Sequence, residues 1–129
     1  MVTITLKGKV FSGVGEGRTF TSLGWARRQF REKVGFEPYP GTLNITLSED
    51  GEKARLLKSF TGMEIEPPKG FLRGRCFKAL IMGEVNGAIV IPDSSRYPYN
   101  ALEVIAPTNL RERLCLNDGD EVDLEIQLE

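Results

Sequence analysis

The sequence predicts a mainly β fold: a small closed barrel of six or seven strands with two short helices, in one domain covering residues 1–129. Three observations support this prediction. The 129 residues, 40% apolar and 27% charged, have the size and composition of one ordinary globular domain. Most apolar residues alternate with polar ones, as in half-buried strands. The strands are short and closely spaced, with mostly short turns, which favours a barrel over a parallel sheet.

The first third of the chain contains a strand, a helix and a second strand. Thr3–Phe11 alternates strictly and predicts the first strand. In SLGWARRQFREKVG the apolar period becomes that of a helix, with Ser22 as the expected N-cap and Gly35 as the expected stop. After the two prolines of FEPYPG, Thr42–Leu47 alternates again and predicts the second strand. The helix face expected to be buried consists of Leu23, Ala26, Phe30 and Val34.

The later elements are predicted in the same way, from the apolar period and from turn residues. The polar segment 48–60 fits either a loop or a short helix. Asn86 and Gly87 predict a tight hairpin turn, because this pair readily adopts the positive φ that such turns need. The second helix, 108–116, would be opened by Thr108 or Asn109. The remaining strands are predicted at 62–66 (an edge segment stopped by two prolines), 71–83, 87–92, 101–107 and 121–128.

Composition excludes several classes of protein. The chain has no histidine, which rules out Ser-His-Asp and Cys-His catalysis and His-based zinc sites. Any general base must therefore be a carboxylate, a lysine, a tyrosine or the substrate. The net charge of -1 argues against binding to bulk nucleic acid. No apolar run could span a membrane, and the N-terminus is typical of a strand and not of a signal peptide. We expect a cytoplasmic protein.

The two cysteines, Cys76 and Cys115, lie in apolar stretches. We expect two buried thiols in a reducing cytoplasm. A disulfide or a metal pair is disfavoured, because the sequence has no CxxC spacing and no third or fourth soft ligand.

Between the first strand and the first helix, FSGVGEGRTF places Gly13, Gly15 and Gly17 at alternate positions and then Arg18. This spacing matches neither the dinucleotide fingerprint nor the Walker loop. Glycines let backbone N–H groups come close to a ligand, and Arg18 could bind a phosphate with its planar guanidinium. The spacing alone leaves a phosphate-binding loop and an ordinary hairpin loop both open.

GTLNIT holds a second candidate site. Thr42 and Asn44 are two residues apart on a strand, so they share a face, while Leu43 and Ile45 point to the core. A hydroxyl and an amide carbonyl are hard, neutral oxygen ligands, too weak to hold Mg²⁺ alone but suited to Mg²⁺ carried by a di- or triphosphate. The alternative is a pair of polar residues facing solvent.

A third candidate lies in SSRYPYNALEVIAPTNLRERL. Glu103 lies between Leu102 and Val104 and should face away from the side they occupy, into a cavity or into water. The segment Thr108–Arg111 opens a helix, whose free N–H groups favour anions, although ordinary capping would explain it equally.

These stretches occur together in a known family. GKVFSGVGEGRTF, GFEPYPGTLNI and GAIVIP, followed by LEVIAPTNLRERLCLNDGDEVDLEI, resemble the archaeal CTP-dependent riboflavin kinases in the same order along the chain. The resemblance runs from Gly8 to Ile126 and thins between Ser48 and Arg75. It implies a six-stranded cradle-loop (RIFT-like) barrel of Greek-key order. It also implies transfer of the γ-phosphoryl group of CTP to the 5′-hydroxyl of riboflavin, giving FMN and CDP, with Mg²⁺ as the cofactor.

Some members carry an N-terminal winged-helix domain. Since this chain starts at the first barrel strand, we expect a stand-alone kinase. We also expect a monomer.

The same resemblance implies the site residues. Thr42 and Asn44 would bind Mg²⁺, and Ser95 and Glu103 would contact the flavin, with Ser95 in the place of a threonine in a relative. Glu103 is the family-matched carboxylate near the acceptor, and whether it orients the flavin or takes the hydroxyl proton stays open. The residues that would contact the nucleotide are Gly13, Val14, Gly15, Glu16, Gly17, Arg18 and Thr19 of the glycine loop, together with Thr108, Asn109, Leu110 and Arg111.

Two other functions fit part of the sequence. LRERLCLNDGDEVDLEI also resembles the AbrB-like transcription factors, which bind DNA as dimers through basic loops. The net charge of -1 and the chain length, about twice that of an AbrB-like unit, argue against this alternative. A flavin-storage protein would need no metal site, so Thr42 and Asn44 argue against storage.

Overall fold

The fold is a closed β-barrel with helices on its surface, in a computed structural model that describes residues 2–13, 21, 23–47, 51–69, 73–92 and 100–128. The strands are β1 (Thr3–Phe11), β2 (Leu43–Leu47), β3 (Met63–Ile65), β4 (Gly74–Ile81), β5 (Val85–Pro92), β6 (Ala101–Ile105) and β7 (Glu121–Gln127). The helices are α1 (Gly24–Val34), α2 (Gly51–Ser59) and α3 (Leu110–Arg113).

All strand pairings are antiparallel, in the order β3-β4-β5-β6-β2-β1-β7, and β7 also pairs with β4. The β4–β7 pairing closes six strands into a barrel and leaves β3 as a short addition to the edge of β4. The predicted six-stranded barrel is confirmed within the described residues. The described part of the chain contains three helices instead of two, because the segment that fitted either a loop or a helix forms α2.

Strict alternation of side chains builds the core of the barrel. Leu6 and Val10 of β1 and Leu43 and Ile45 of β2 are buried in the interior. The last strand contributes Val122, Leu124 and Ile126 in the same way. Because alternate residues of a strand face opposite sides, the intervening residues of these strands face outward. The polar residues of β2 are therefore on the outside of the barrel.

Helix α1 packs on the outer surface through the apolar face that the sequence predicts. Ala26 and Phe30 are fully buried, and Leu23 and Val34 pack against the same cluster. Gly35 ends the helix in the left-handed conformation with φ 87°, as expected. The predicted N-cap, Ser22, lies outside the described residues; the N-cap position belongs to Leu23, which makes no side-chain capping bond.

The edge strand β3 is covered by side chains of α1. Gln29 donates from Nε2 to the carbonyl of Glu66 at 2.6 Å and accepts from its N–H at 2.7 Å, replacing the partner strand that an edge lacks. Lys33 donates to the carbonyl of Glu64.

The hairpin between β4 and β5 corrects one prediction. The turn consists of Met82, Gly83 and Glu84, with positive φ at Met82 (54°) and Gly83 (66°), whereas Asn86 and Gly87 lie inside β5. Gly87 is needed for a different reason. A Cβ there would lie 2.4 Å from the carbonyl oxygen of Ile105, so the glycine permits close approach of β6.

The cysteine prediction holds for one residue of the two. Cys76 is buried under α1, and burial raises the pKa of its thiol to about 11. Cys115 is exposed instead, in the turn after α3, with φ 54°. Among the described residues, no helix is both long and apolar enough to span a membrane.

Candidate functional site

Three oxygen-bearing side chains meet on the outside of the barrel where β2 and β6 pair. Asn44 lies directly opposite Glu103, and Leu43 lies opposite Val104. The Thr42 hydroxyl is 3.3 Å from Oδ1 of Asn44 and 3.4 Å from Oε1 of Glu103. Leu102 and Val104 point to the core, so Glu103 faces the other way, as the sequence predicts.

The chemistry of these side chains suits a hard cation. Hydroxyl, amide and carboxylate oxygens are the donors that Mg²⁺ prefers. Only one of the three is charged, and no three His, Cys, Asp or Glu residues come together within the described ranges. The trio is therefore suited to an ion whose remaining ligands are water or phosphate oxygens. Asn44, only 8% exposed, is held in place by its position in the sheet.

A cleft of about 200 Å³ adjoins the trio, and Thr42 belongs to both. One wall is the segment 39–43 before and at the start of β2, and the other contains Val104, Ala106 and residues 108–111. The Tyr39 N–H donates to the carbonyl of Ala106 at 2.8 Å and fixes the distance between the walls. Tyr39 lines this cleft and is 45% exposed.

The second wall contains residues 108–111, which the resemblance to the kinases assigns to the nucleotide. Asn109 caps α3 by accepting from the N–H of Glu112 at 3.2 Å, which confirms one of the two predicted caps. Leu110 is buried in the barrel core, so only its backbone can face a ligand. Thr108 and Arg111 are half-buried and line the cleft.

Arg111 is held by two contacts of its Nη2 atom. One is to Oδ1 of Asp118 at 2.8 Å, and the other is to the carbonyl of Phe11 at 3.4 Å. Oδ2 of Asp118 accepts in turn from the hydroxyl of Ser12 at 2.6 Å. The hydrogen bonds from Ser12 and then from Arg111 hold the pKa of Asp118 below its usual range, because they stabilise the carboxylate.

Described residues flank the glycine loop in the sequence on both sides. Gly13, which is exposed, follows Ser12, and Thr21 is the next residue described after the loop. The buried Thr21 hydroxyl accepts from the N–H of Gly41 at 2.8 Å, at the cleft wall. The rest of the predicted nucleotide contacts in the glycine loop, and the predicted flavin contact, lie outside the described residues. They are Val14, Gly15, Glu16, Gly17, Arg18 and Thr19, and Ser95.

Sequence reasoning missed Tyr39, Thr21 and Asp118. Tyr39 could have been noticed because it precedes the GTLN motif and is aromatic, although nothing local indicates that it is exposed. Asp118 looks like an ordinary turn residue in NDGD. Only the tertiary fold brings it to Ser12 and Arg111.

Comparison with known proteins places these residues in a family. The family model CTP-dep_RFKase, described as "Domain of unknown function DUF120", matches residues 10–126. The chain is 46% identical to a riboflavin kinase of Archaeoglobus fulgidus over 135 aligned positions, covering 98% of this chain and 56% of that protein. It is 41% identical to a riboflavin kinase of Halobacterium salinarum, covering 96% and 57%. It is 43% identical to one of Pyrobaculum islandicum, covering 100% and 63%. The chain thus spans somewhat more than half the length of these relatives.

Proposed function

Because the chain belongs to the CTP-dep_RFKase family, we propose that it transfers the γ-phosphoryl group of CTP to the 5′-hydroxyl of riboflavin, giving FMN and CDP. The observation that carries this proposal is that Thr42 is shared by the oxygen trio and by the cleft. A side chain able to hold a metal at the wall of a cleft is the arrangement that phosphoryl transfer needs, since this reaction depends mainly on positioning and charge neutralisation.

The nucleotide occupies the cleft in this proposal. Its phosphates lie between Thr42 and Arg111, and its base lies toward Ala106, Thr108 and Asn109. The Thr42 hydroxyl and the Asn44 amide oxygen hold Mg²⁺, and when bound this ion neutralises charge on the phosphates. Arg111 adds positive charge from the opposite wall of the cleft. The glycine loop, with Arg18, stays the predicted cover of the phosphates.

In this proposal Glu103 is the general base that acts on riboflavin, the phosphoryl acceptor. Its carboxylate lies next to Thr42, so a riboflavin hydroxyl brought to the γ-phosphate comes within its reach. As the bond from the ribityl oxygen to the γ-phosphorus forms, the hydroxyl proton passes to Glu103. The bond from that phosphorus to the bridging oxygen breaks, and CDP leaves. A carboxylate base is consistent with the absence of histidine.

We propose CTP as the donor in preference to ATP. The wall at Ala106 and 108–111 would offer the base mainly backbone N–H groups, because most of its carbonyls already accept backbone hydrogen bonds within the chain. Cytosine presents an amino donor beside two acceptors, whereas adenine is larger and presents a different pattern. A mismatch at such a wall leaves buried polar groups unpaired, which discriminates strongly.

The test is to incubate the protein with riboflavin and Mg²⁺ and each of the four common nucleoside triphosphates, at equal subsaturating concentrations. The initial rate of FMN formation, followed by chromatography, should be clearly highest with CTP. Equal or faster formation with ATP would contradict the donor and leave riboflavin kinase activity standing. No FMN with any of the four would contradict the activity itself.

A further inference from the structure

Both oxygens of the Asp118 carboxylate bind residues that belong to different parts of the nucleotide site. Oδ2 accepts from Ser12, which directly precedes the glycine stretch, at 2.6 Å. Oδ1 accepts from Arg111, on the wall of the cleft, at 2.8 Å. A single side chain thus connects the end of β1 with the start of α3, which are far apart in the sequence.

The turn that carries Asp118 does not need its carboxylate. Asp120 closes this turn, because its Oδ2 accepts from the N–H of Asn117 at 2.7 Å and its own N–H donates to the carbonyl of Asn117 at 3.0 Å. The backbone of Val10 fastens the turn to β1, accepting from the N–H of Gly119 at 2.8 Å and donating to the carbonyl of Asp120 at 3.0 Å. Asp118 is 54% exposed, and an exposed ion pair contributes little to stability.

The contact with Asp118 leaves Arg111 able to bind a ligand. Among the described residues, both contacts of its guanidinium run through Nη2. The N–H groups on Nη1 and Nε remain as donors in a fixed plane, the geometry that suits a phosphate. A free arginine side chain would lose considerable rotamer entropy when it binds, and Asp118 removes part of that cost in advance.

We propose that Asp118 is a positioning residue of the nucleotide site, which orients Arg111 toward the phosphates and holds Ser12 at the root of the glycine loop. This inference rests on the proposed function, since it assigns Asp118 to the same site. Asp118 acts through Arg111 and Ser12 and does not touch the nucleotide.

The experiment measures the binding of CDP and of riboflavin separately, by calorimetry, with thermal unfolding as a check on the fold. Asp118→Asn keeps the shape and removes the charge that orients Arg111. We expect CDP to bind roughly tenfold more weakly, the order of one charge-assisted hydrogen bond, with riboflavin affinity and melting temperature nearly unchanged. Asp123→Asn is the matched control: Asp123 is 56% exposed and pairs with Lys7 at 3.7 Å on another face. It should alter neither affinity.

A double-mutant cycle tests whether Asp118 acts through Arg111. Arg111→Ala should weaken CDP binding, and adding Asp118→Asn to it should weaken binding little further. Additive losses would overturn the route through Arg111, which is the main claim of this inference. Equal or tighter CDP binding by Asp118→Asn, with wild type binding CDP normally, would overturn the inference alone, because Asp118 would then only offset the charge of Arg111. A wild-type protein that binds no CDP would overturn the proposed function and this inference together.

Discussion

Replacing Thr42 by valine tests the proposed metal site most directly. Valine has nearly the shape of threonine and suits a strand, so the change removes the hydroxyl and little else. The hydroxyl has one proton, and its two possible acceptors, on Asn44 and Glu103, are 3.3 and 3.4 Å away. Only one bond can form at a time, and at these distances it is a weak one.

The expected effects on stability and on activity therefore differ widely. One weak hydrogen bond contributes about 1 kcal/mol or less to the free energy of unfolding, which lowers the melting temperature by roughly 4 °C at most for a domain of this size. Loss of a metal ligand should cost more, since even groups that only orient metal ligands change metal affinity or activity by about 10–100-fold. We expect the Mg²⁺ concentration for half-maximal rate to rise at least tenfold.

The assay is the initial rate of FMN formation over a series of Mg²⁺ concentrations. Thr42→Ser keeps the hydroxyl and should stay close to wild type. Thr46→Val is a control for valine on the same face of the same strand, because Thr46 is exposed, pairs with Ala101 and lies four residues from Thr42. If Thr42→Val keeps the wild-type rate at limiting Mg²⁺, Thr42 is not a metal ligand and the site must be reassigned.

Three further predictions concern other parts of the molecule. Glu103→Gln should lower kcat for FMN formation by roughly 100-fold with little change in the KM for CTP; an unchanged kcat would leave Glu103 without a role in proton transfer. Gly87→Ala should lower the free energy of unfolding by about 1–3 kcal/mol in a denaturant titration, because its Cβ would lie 2.4 Å from the Ile105 oxygen, whereas Gly24→Ala meets nothing within 4 Å and should be tolerated. The pKa of Cys76 is raised to about 11 from 9.0, so its contribution to stability is complete below pH 9 and is lost as the pH rises through 11. Between pH 9 and 11 the free energy of unfolding of the wild type should fall by about 2 kcal/mol relative to that of Cys76→Ala. If the free energies of the two proteins change in parallel with pH, burial does not raise the pKa of the Cys76 thiol.

Features that depend on local periodicity could be predicted from the sequence. The predicted first strand has the observed bounds, Thr3–Phe11, and the buried face of α1 contains Ala26 and Phe30 as expected. The shared face of Thr42 and Asn44 also follows from the two-residue period of a strand. These features need only neighbouring residues, so no knowledge of the tertiary fold is required.

Features set by distant contacts could not be predicted. Asn86–Gly87 has the composition of a turn, yet the glycine serves the close approach of Ile105. The proximity of Glu103 to Thr42 depends on the register between β2 and β6, which the sequence does not reveal. The resemblance to the kinases assigned Glu103 to the flavin and Thr42 to the metal, and the structure brings the two side chains into contact.

The pairing of β1 with β7 has a consequence for biosynthesis. These strands pair over seven residues, from Thr3–Gln127 to Lys9–Glu121, and β7 completes the barrel by joining β4 as well. On the ribosome β2 can pair with one edge of β1 early, but the other edge of β1 stays open until almost all of the domain has emerged, a time during which an open edge can pair wrongly. Asp118, just before β7, meets Ser12 only at that late moment. A ribosome-bound or prematurely terminated chain lacking β7 should thus be a client for chaperones, and its nucleotide site should lack the contact of Asp118 with Ser12, however complete its helices and central strands.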